Sequence, residues 1–315
     1  MILRKSTLIV ILCALSLGAG VYYWDWKRGQ AEKPAEEVSK PAFSIQTADV
    51  RSLTLARPAQ PEQPPIRLER RNAGWVIVQP IEADADEPVV ESMVEELVGA
   101  SISQTEPGTP DRRKAYGLDP PQGSIEFTLQ NGAKHTLALG NRDFTESNVY
   151  AVIDGASSVA LLPSVLASRP AMSLQELRDR RVLHMEATDV QRMEIHNAHG
   201  LLVVSRKKDS PEDWVFEAPK GQNGKTATSW KIAAAINGMR AEEVVDHPAA
   251  NLLAQAASPA VTAVLTAKDG RHVSLKISKP SGDFVYARAD AGPQLYRLKK
   301  SILDNWNFKP ADLIP

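Results

Sequence analysis

Residues 75–80 read WVIVQP and residues 214–219 read WVFEAP. The two stretches keep one interval, since 214 − 75 and 219 − 80 both equal 139. A β-forming segment opened by Trp and stopped by Pro, written twice at a fixed period, is the mark of a duplicated folding unit. That duplication governs every other reading, because an unusual residue in one copy points to function only if the other copy lacks it.

The correspondence extends on both sides. Ala48-Asp49-Val50 answers Thr188-Asp189-Val190, and Leu53 and Leu55 answer Met193 and Ile195. Further on, Met93, Leu97 and Ala100 match Ile232, Ile236 and Met239, and Asn131-Gly132 matches Asp269-Gly270. Leu137 matches Leu275, Val149-Tyr150-Ala151 matches Val285-Tyr286-Ala287, and Val165-Leu166 is paired with Ile302-Leu303. The offset falls from 140 (48 to 188) to 136 (149 to 285), as small length changes in turns would produce.

Each copy predicts the same elements. In the first, Val50 to Leu55 and Ile66 to Arg70 alternate apolar and polar residues, Asn72-Ala73-Gly74 turns the chain, and Trp75 to Val78 returns. After Pro80 an acidic stretch, Glu82 to Glu87, leads into a helix with Val89, Val90, Met93, Val94 and Leu97 on one face. Asp84 or Asp86 is expected to cap it, with Pro88 tolerated in the first turn. The second copy has Thr226 and Thr228 there, and a hydroxyl can replace a carboxylate as a cap but not as a catalytic acid. Capping is therefore preferred over cation binding or paired-acid chemistry.

Asn131-Gly132 predicts a hairpin between Ile125–Leu129 and Lys134–Leu139, and a second Gly turn joins Val149–Ile153 to Ser158–Leu162. The second copy follows with strands at Met193–Ile195, Leu201–Val204 and Trp214–Phe216, a helix near Thr228–Met239, and the hairpin Val261–Leu265 with Val273–Ile277. The fold class is α+β: two tandem copies, residues 46–182 and 183–315, of a mostly antiparallel sheet with a helix packed on it. Trp75 and Trp214 are expected to anchor equivalent cores.

Ahead of these copies, Thr7 to Trp24 is an uncharged run of 18 residues. That nears the roughly 20 apolar residues a helix needs to cross a bilayer. Tyr22, Tyr23, Trp24 and Trp26 form an aromatic boundary, which favours an uncleaved anchor over a cleaved signal peptide. The expected layout is a cytoplasmic tail at 1–6, a transmembrane anchor at 7–26 and a polar spacer at 27–45. The protein would then be a single-pass component of a bacterial inner membrane with its C-terminal domains in the periplasm.

Lys plus Arg total 37 and Asp plus Glu 38, so no basic excess draws nucleic acid. Cys13 is the sole cysteine, which excludes an internal disulfide and a Cys-bound zinc site. No G-x-S-x-G, H-E-x-x-H or Gly-rich phosphate loop occurs, so no catalytic role, metal or cofactor is assigned. His196 and His199 form an H-x-x-H pair, but Asn197, Ala198 and Gly200 place them in a hairpin turn with no third ligand implied.

Three pieces carry a family resemblance: Trp75-x-x-x-x-Pro80 with its Ala-Asp helix start, Tyr116-Gly117-Leu118-Asp119-Pro120-Pro121, and Leu177-Arg178-Asp179-Arg180-Arg181. Together they resemble the bacterial family called domain of unknown function 4340, over nearly all of the chain after the spacer. YGLDPP is the most specific piece, and the second copy departs from it, with Ala254 opposite Tyr116. The family supplies no catalytic residues; some relatives resemble auxiliary subunits of ABC-type export or gliding systems, which implies a binding or assembly role.

Copy-specific residues are the candidates for interaction: Tyr116, Asp119, Arg178, Arg180 and Arg181. The Arg178–Arg181 segment is read as a solvated hinge or an ion-pair cluster between the copies, with an anion site or docking patch as the functional alternative. The expected function is a membrane-anchored extracytoplasmic interaction module with an envelope or transporter protein as partner. The alternative is an envelope ligand-binding protein or enzyme with a site in the cleft between the repeats.

Overall fold

The computed structural model describes residues 40–315 except Ala73 and Ala291. The run at Thr7–Trp24 lies outside the described residues; among those described, no helix is long and apolar enough to cross a membrane. Within the span read as spacer, Lys40–Pro41 pairs with Ser101–Ile102, and Phe43 is buried edge-on against Phe127 at 5.0 Å. The last spacer residues thus belong to the first module.

Nine strands of the first copy are β1 Val50–Ala56, β2 Ile66–Arg71, β3 Gly74–Gln79, β4 Ala83–Asp84, β5 Gln104–Pro107, β6 Gly123–Leu129, β7 Lys134–Arg142, β8 Asn148–Ile153 and β9 Ser158–Pro163. Nine of the second are β10 Val190–Asn197, β11 Gly200–Lys207, β12 Ser210–Ala218, β13 Thr226–Ala227, β14 Glu243–Val245, β15 Pro259–Ala267, β16 His272–Ser278, β17 Phe284–Ala289 and β18 Leu295–Lys299. Helices α1 Glu87–Val98 and α2 Pro110–Ala115 in the first copy answer α3 Ser229–Asn237 and α4 Ala250–Ala256 in the second.

The first sheet runs β4-β3-β2-β1-β6-β7-β8-β9-β5 and the second β13-β12-β11-β10-β15-β16-β17-β18-β14. Subtracting nine from each label of the second gives the first, so the duplication is one of topology. Irregularities repeat as well. Opposite the first strand of each sheet the register slips at Val50/Ser52 and at Val190/Arg192. Asp154 and Asp290 both take positive φ (48° and 50°), and their carboxylates accept from the backbone N–H of Thr136 and Ser274 at 2.8 and 2.9 Å. Asn and Asp tolerate this left-handed region better than other residues with a Cβ. Pro80 and Pro219 both follow cis peptide bonds.

Period-two alternation buries one face of each sheet. In the first copy Leu53, Leu55, Leu68, Ile125, Phe127 and Leu137 are at most 2% exposed; in the second Met193, Ile195, Val204, Leu265 and Leu275 are equally closed. Ile232, Ala235 and Ile236 of α3 join the second core beside Trp214 and Phe216, which is the sheet-plus-helix layering expected of an α+β fold. Burial corrects one pairing: Leu166 and Ile302 are buried whereas Val165 is exposed, so Leu166 matches Ile302 and the offset stays at 136.

By contact, the described chain up to Arg70 with Glu91–Ala171 forms one compact unit, and Arg71–Val90 with Met172–Pro315 forms another. Each is treated by itself below.

Candidate functional site

In the first unit YGLDPP is a helix stop. Thr109 caps the start of α2, and Tyr116 ends it. Gly117 then takes φ +68°, and the Leu118 N–H closes back onto the Arg113 carbonyl at 2.8 Å. This is the left-handed exit that favours glycine. Leu118 is buried with Val152 and Val159 and fixes the turn, which closes through a Leu118–Pro121 bridge over the cis Asp119–Pro120 bond. Close approach of β7 completes the arrangement: the Asn141 N–H donates to the Tyr116 carbonyl at 2.7 Å, and a Cβ on Gly140 would lie 2.1 Å from that oxygen.

The Tyr116 side chain is committed within the unit. Its hydroxyl donates to Glu106 Oε2 at 2.6 Å, and its ring stacks on Tyr150 at 3.8 Å and 3°. The bond to Glu106 raises the phenol above its ordinary pKa, with burial adding to the effect. Asp119 is exposed.

The second unit joins two segments that the sequence kept apart. Asp84–Asp86 and Leu177–Asp179 lie antiparallel: the Asp86 N–H donates to the Leu177 carbonyl at 2.8 Å, the Asp179 N–H donates to the Asp84 carbonyl at 2.8 Å, and Ala85 bridges Arg178. On the other side Val182 donates to Met239, and Ala241 to Arg180, each at 2.8 Å. The Arg178–Arg181 segment is therefore a threaded strand-like piece. Its reading as a solvated hinge is corrected, since Arg178 is 3% exposed and a charge that deep must be paired.

That pairing is bidentate. Arg178 Nη1 and Nη2 donate to Asp246 Oδ2 and Oδ1 at 2.8 and 3.1 Å, and Gln294 adds a third bond to Asp246. The Arg178 bond leads in holding the Asp246 carboxyl below the ordinary aspartate range. Asp179 is buried, which works to raise its pKa, but bonds from the Arg181 side chain and backbone outweigh burial and leave it lowered. Arg180 reaches the Glu242 carbonyl at 3.3 Å.

The acidic stretch serves this construction. Asp86 directly precedes α1, but its carboxylate accepts from Arg240, and Asp84 stands too early to cap. Glu87 accepts from the Trp75 N–H at 2.7 Å. Thr228, in the equivalent place before α3, makes no side-chain cap; its hydroxyl donates to the Leu313 carbonyl at 2.9 Å. Exchange of carboxylate and hydroxyl as caps is thus corrected: both side chains serve tertiary contacts.

Beside this segment lies a polar cavity of about 330 Å³, wholly within the second unit. Its walls include Asp84, Arg178, Asp179, His184, Gln294 and Tyr296, drawn from both sequence copies. Burial raises the Tyr296 phenol; Arg178 opposes this while Asp179, Asp246 and Asp84 reinforce it. Among the described residues no group of three or more His, Cys, Asp or Glu is placed to hold a metal ion.

Of the candidates read from sequence, Arg178, Arg180 and Arg181 come together in the second unit, and Tyr116 and Asp119 stand in the first. Missed were Asp246, Gln294 and Tyr296, and Asp84 was read as a helix cap.

The family described as Domain of unknown function (DUF4340) matches residues 75–256, 182 of the 315 residues. The chain belongs to this family. The DUF4340 match opens at Trp75 and closes at the end of α4, a narrower span than the whole region after the spacer, and it contains both YGLDPP and the Arg178–Arg181 segment. No curated protein and no solved structure matches the chain.

Proposed function

We propose that this DUF4340 protein is a membrane-anchored, extracytoplasmic interaction or assembly module, an auxiliary component of an ABC-type transport or other envelope system in a bacterial inner membrane. The observation that carries the reading is the uncharged run Thr7–Trp24 with its aromatic boundary, placed ahead of two β modules. The test is to extract membranes of cells expressing the full chain at alkaline pH, digest spheroplasts with protease, and purify cross-linked complexes after gentle solubilisation. Retention in the bilayer, digestion from outside and one reproducible envelope or transporter partner are expected. Release by alkali, or protection of the folded modules from external protease, overturns the reading.

A second reading, an envelope ligand-binding protein, is favoured by the cavity at Arg178, whose lining the two copies do not share. Titration of small polar probes against the full chain distinguishes it from a purely assembling role.

A further inference from the structure

The cavity beside Arg178 has an asymmetric account of charge. Arg71 and Glu82 pair with each other across its rim at 2.8 Å. Asp246 takes Nη1 and Nη2 of Arg178, whose Nε is closed off from the cavity and has no partner among the described residues, and Arg181 takes Asp179. Asp84 remains. Its backbone carbonyl holds the Asp179 N–H, but among the described residues its carboxylate enters no hydrogen bond and no ion pair. Gln294 uses its amide N–H on Asp246, leaving its oxygen open, and the Tyr296 hydroxyl is likewise unpartnered among the described residues. Val76 and the Tyr296 ring supply the apolar wall.

Besides the His184 ring, which faces Asp179 at 3.6 Å, what is left over is one carboxylate without a counter-charge, one amide oxygen, and Tyr296 with its hydroxyl and its ring face. We infer that the cavity binds an alkylammonium or guanidinium group, seated between the Asp84 carboxylate, the Gln294 oxygen and the Tyr296 ring. This rests on the reading of the cavity as a ligand site and names its chemistry. A cation over an aromatic face gains from the ring quadrupole, and a carboxylate beside it fixes the ammonium hydrogens. A volume of about 330 Å³ suits one such side chain or a short diamine, at the small end of ligand pockets. The group could arrive on a free polyamine or on a Lys or Arg of a protein partner.

Saturation-transfer NMR on the full chain in deuterated micelles tests this with four probes: cadaverine, N-acetyl-lysine amide, uncharged 1-pentanol and anionic N-acetyl-aspartate amide. Saturable transfer to one or both cations, with none to the other two, is expected. Asp84→Asn weakens it about fivefold, as loss of one partly exposed charge contact should. The Asp84 side chain supports nothing else, so the variant folds. Glu126→Gln, in the first unit, leaves binding unchanged. Tighter binding of the lysine amide assigns the group to a protein partner, and tighter binding of cadaverine to a free amine. Saturation by pentanol or the anion alone, or cation binding indifferent to Asp84→Asn, overturns the cationic assignment while keeping a ligand site. Saturation by none of the four overturns both.

Discussion

Two helix starts in the second unit are alike and differ in what the preceding side chain does. Before α1 the Asp86 N–H donates to the Leu177 carbonyl at 2.8 Å; before α3 the Thr228 N–H donates to the Leu313 carbonyl at 2.7 Å. Leu177 and Leu313 are both fully buried. The backbone latch belongs to the fold, and both copies keep it. The side chains diverge: the Asp86 carboxylate takes Arg240, whereas the Thr228 hydroxyl doubles the bond to Leu313. After Leu177 the chain goes on into Arg178–Arg181 and lines a cavity. The difference teaches that one backbone latch can carry a charged site before α1 and a neutral fastening before α3.

The largest break in this comparison comes from Asp246→Ala. It leaves the Arg178 guanidinium, 3% exposed, without its bidentate partner. The loss expected in urea unfolding is about 3 kcal/mol, the low end for an abandoned buried charge because Asp246 itself is 26% exposed. The double variant Arg178→Met with Asp246→Leu recovers most of it, since apolar replacement removes the charge rather than stranding it. Equal losses in the single and double variants would show that packing, not charge, holds the segment.

The first unit offers the next test. Gly140 admits the Tyr116 carbonyl, and its counterpart in the second copy is Ser278, fully buried, whose hydroxyl accepts from the Tyr286 N–H at 3.0 Å. Gly140→Ser therefore destabilises by about 2 kcal/mol although the homologous place holds serine, because its Cβ meets backbone that cannot retreat. A neutral result would mean that YGLDPP does not depend on that approach.

Much of the architecture was legible because its signals are local. Alternation in β1 and β10, the Pro stops after Gln79 and Ala218, and the Asn131-Gly132 and Asp269-Gly270 turns are read within a few residues, and both turn glycines take positive φ (85° and 83°). Copy comparison also singled out the Arg178–Arg181 segment. What it could not do was choose partners: Arg178 meets Asp246 across 68 residues and Arg240 meets Asp86 across 154. A carboxylate before a helix looks like a cap from sequence, and only the fold shows that a distant guanidinium has claimed it. The same holds for the cavity, whose lining residues are scattered from Arg71 to Tyr296.

Acid sharpens the contrast further. Asp179 and Asp246 have folded-state pKa values below the ordinary aspartate value, so the unfolded chain binds protons first as pH falls. Their contribution is present above about pH 4, the unfolded value, and is lost as pH drops through the depressed folded values. Thr228 and Leu313 offer nothing to titrate. Urea midpoints measured from pH 7 to pH 3 should fall in this window, and Asp246→Asn should flatten the fall. An unchanged slope would detach Asp246 from the acid sensitivity.

The smallest effect belongs to Thr228→Val, which keeps the shape and the backbone latch but removes the hydroxyl. Leu313 still accepts from the Thr228 N–H, so its carbonyl is not left bare. The expected cost is about 1 kcal/mol, that of one ordinary hydrogen bond. It should not depend on pH, and salt should leave it unchanged because no charge is involved. Asp86→Asn provides the opposite case: it keeps a side chain of the same shape before α1 but weakens the link to Arg240, a residue 43% exposed, and salt should shrink that loss. If both substitutions responded to salt alike, the two latches would share one electrostatic character, and the distinction between a fastening and a charged site would fail.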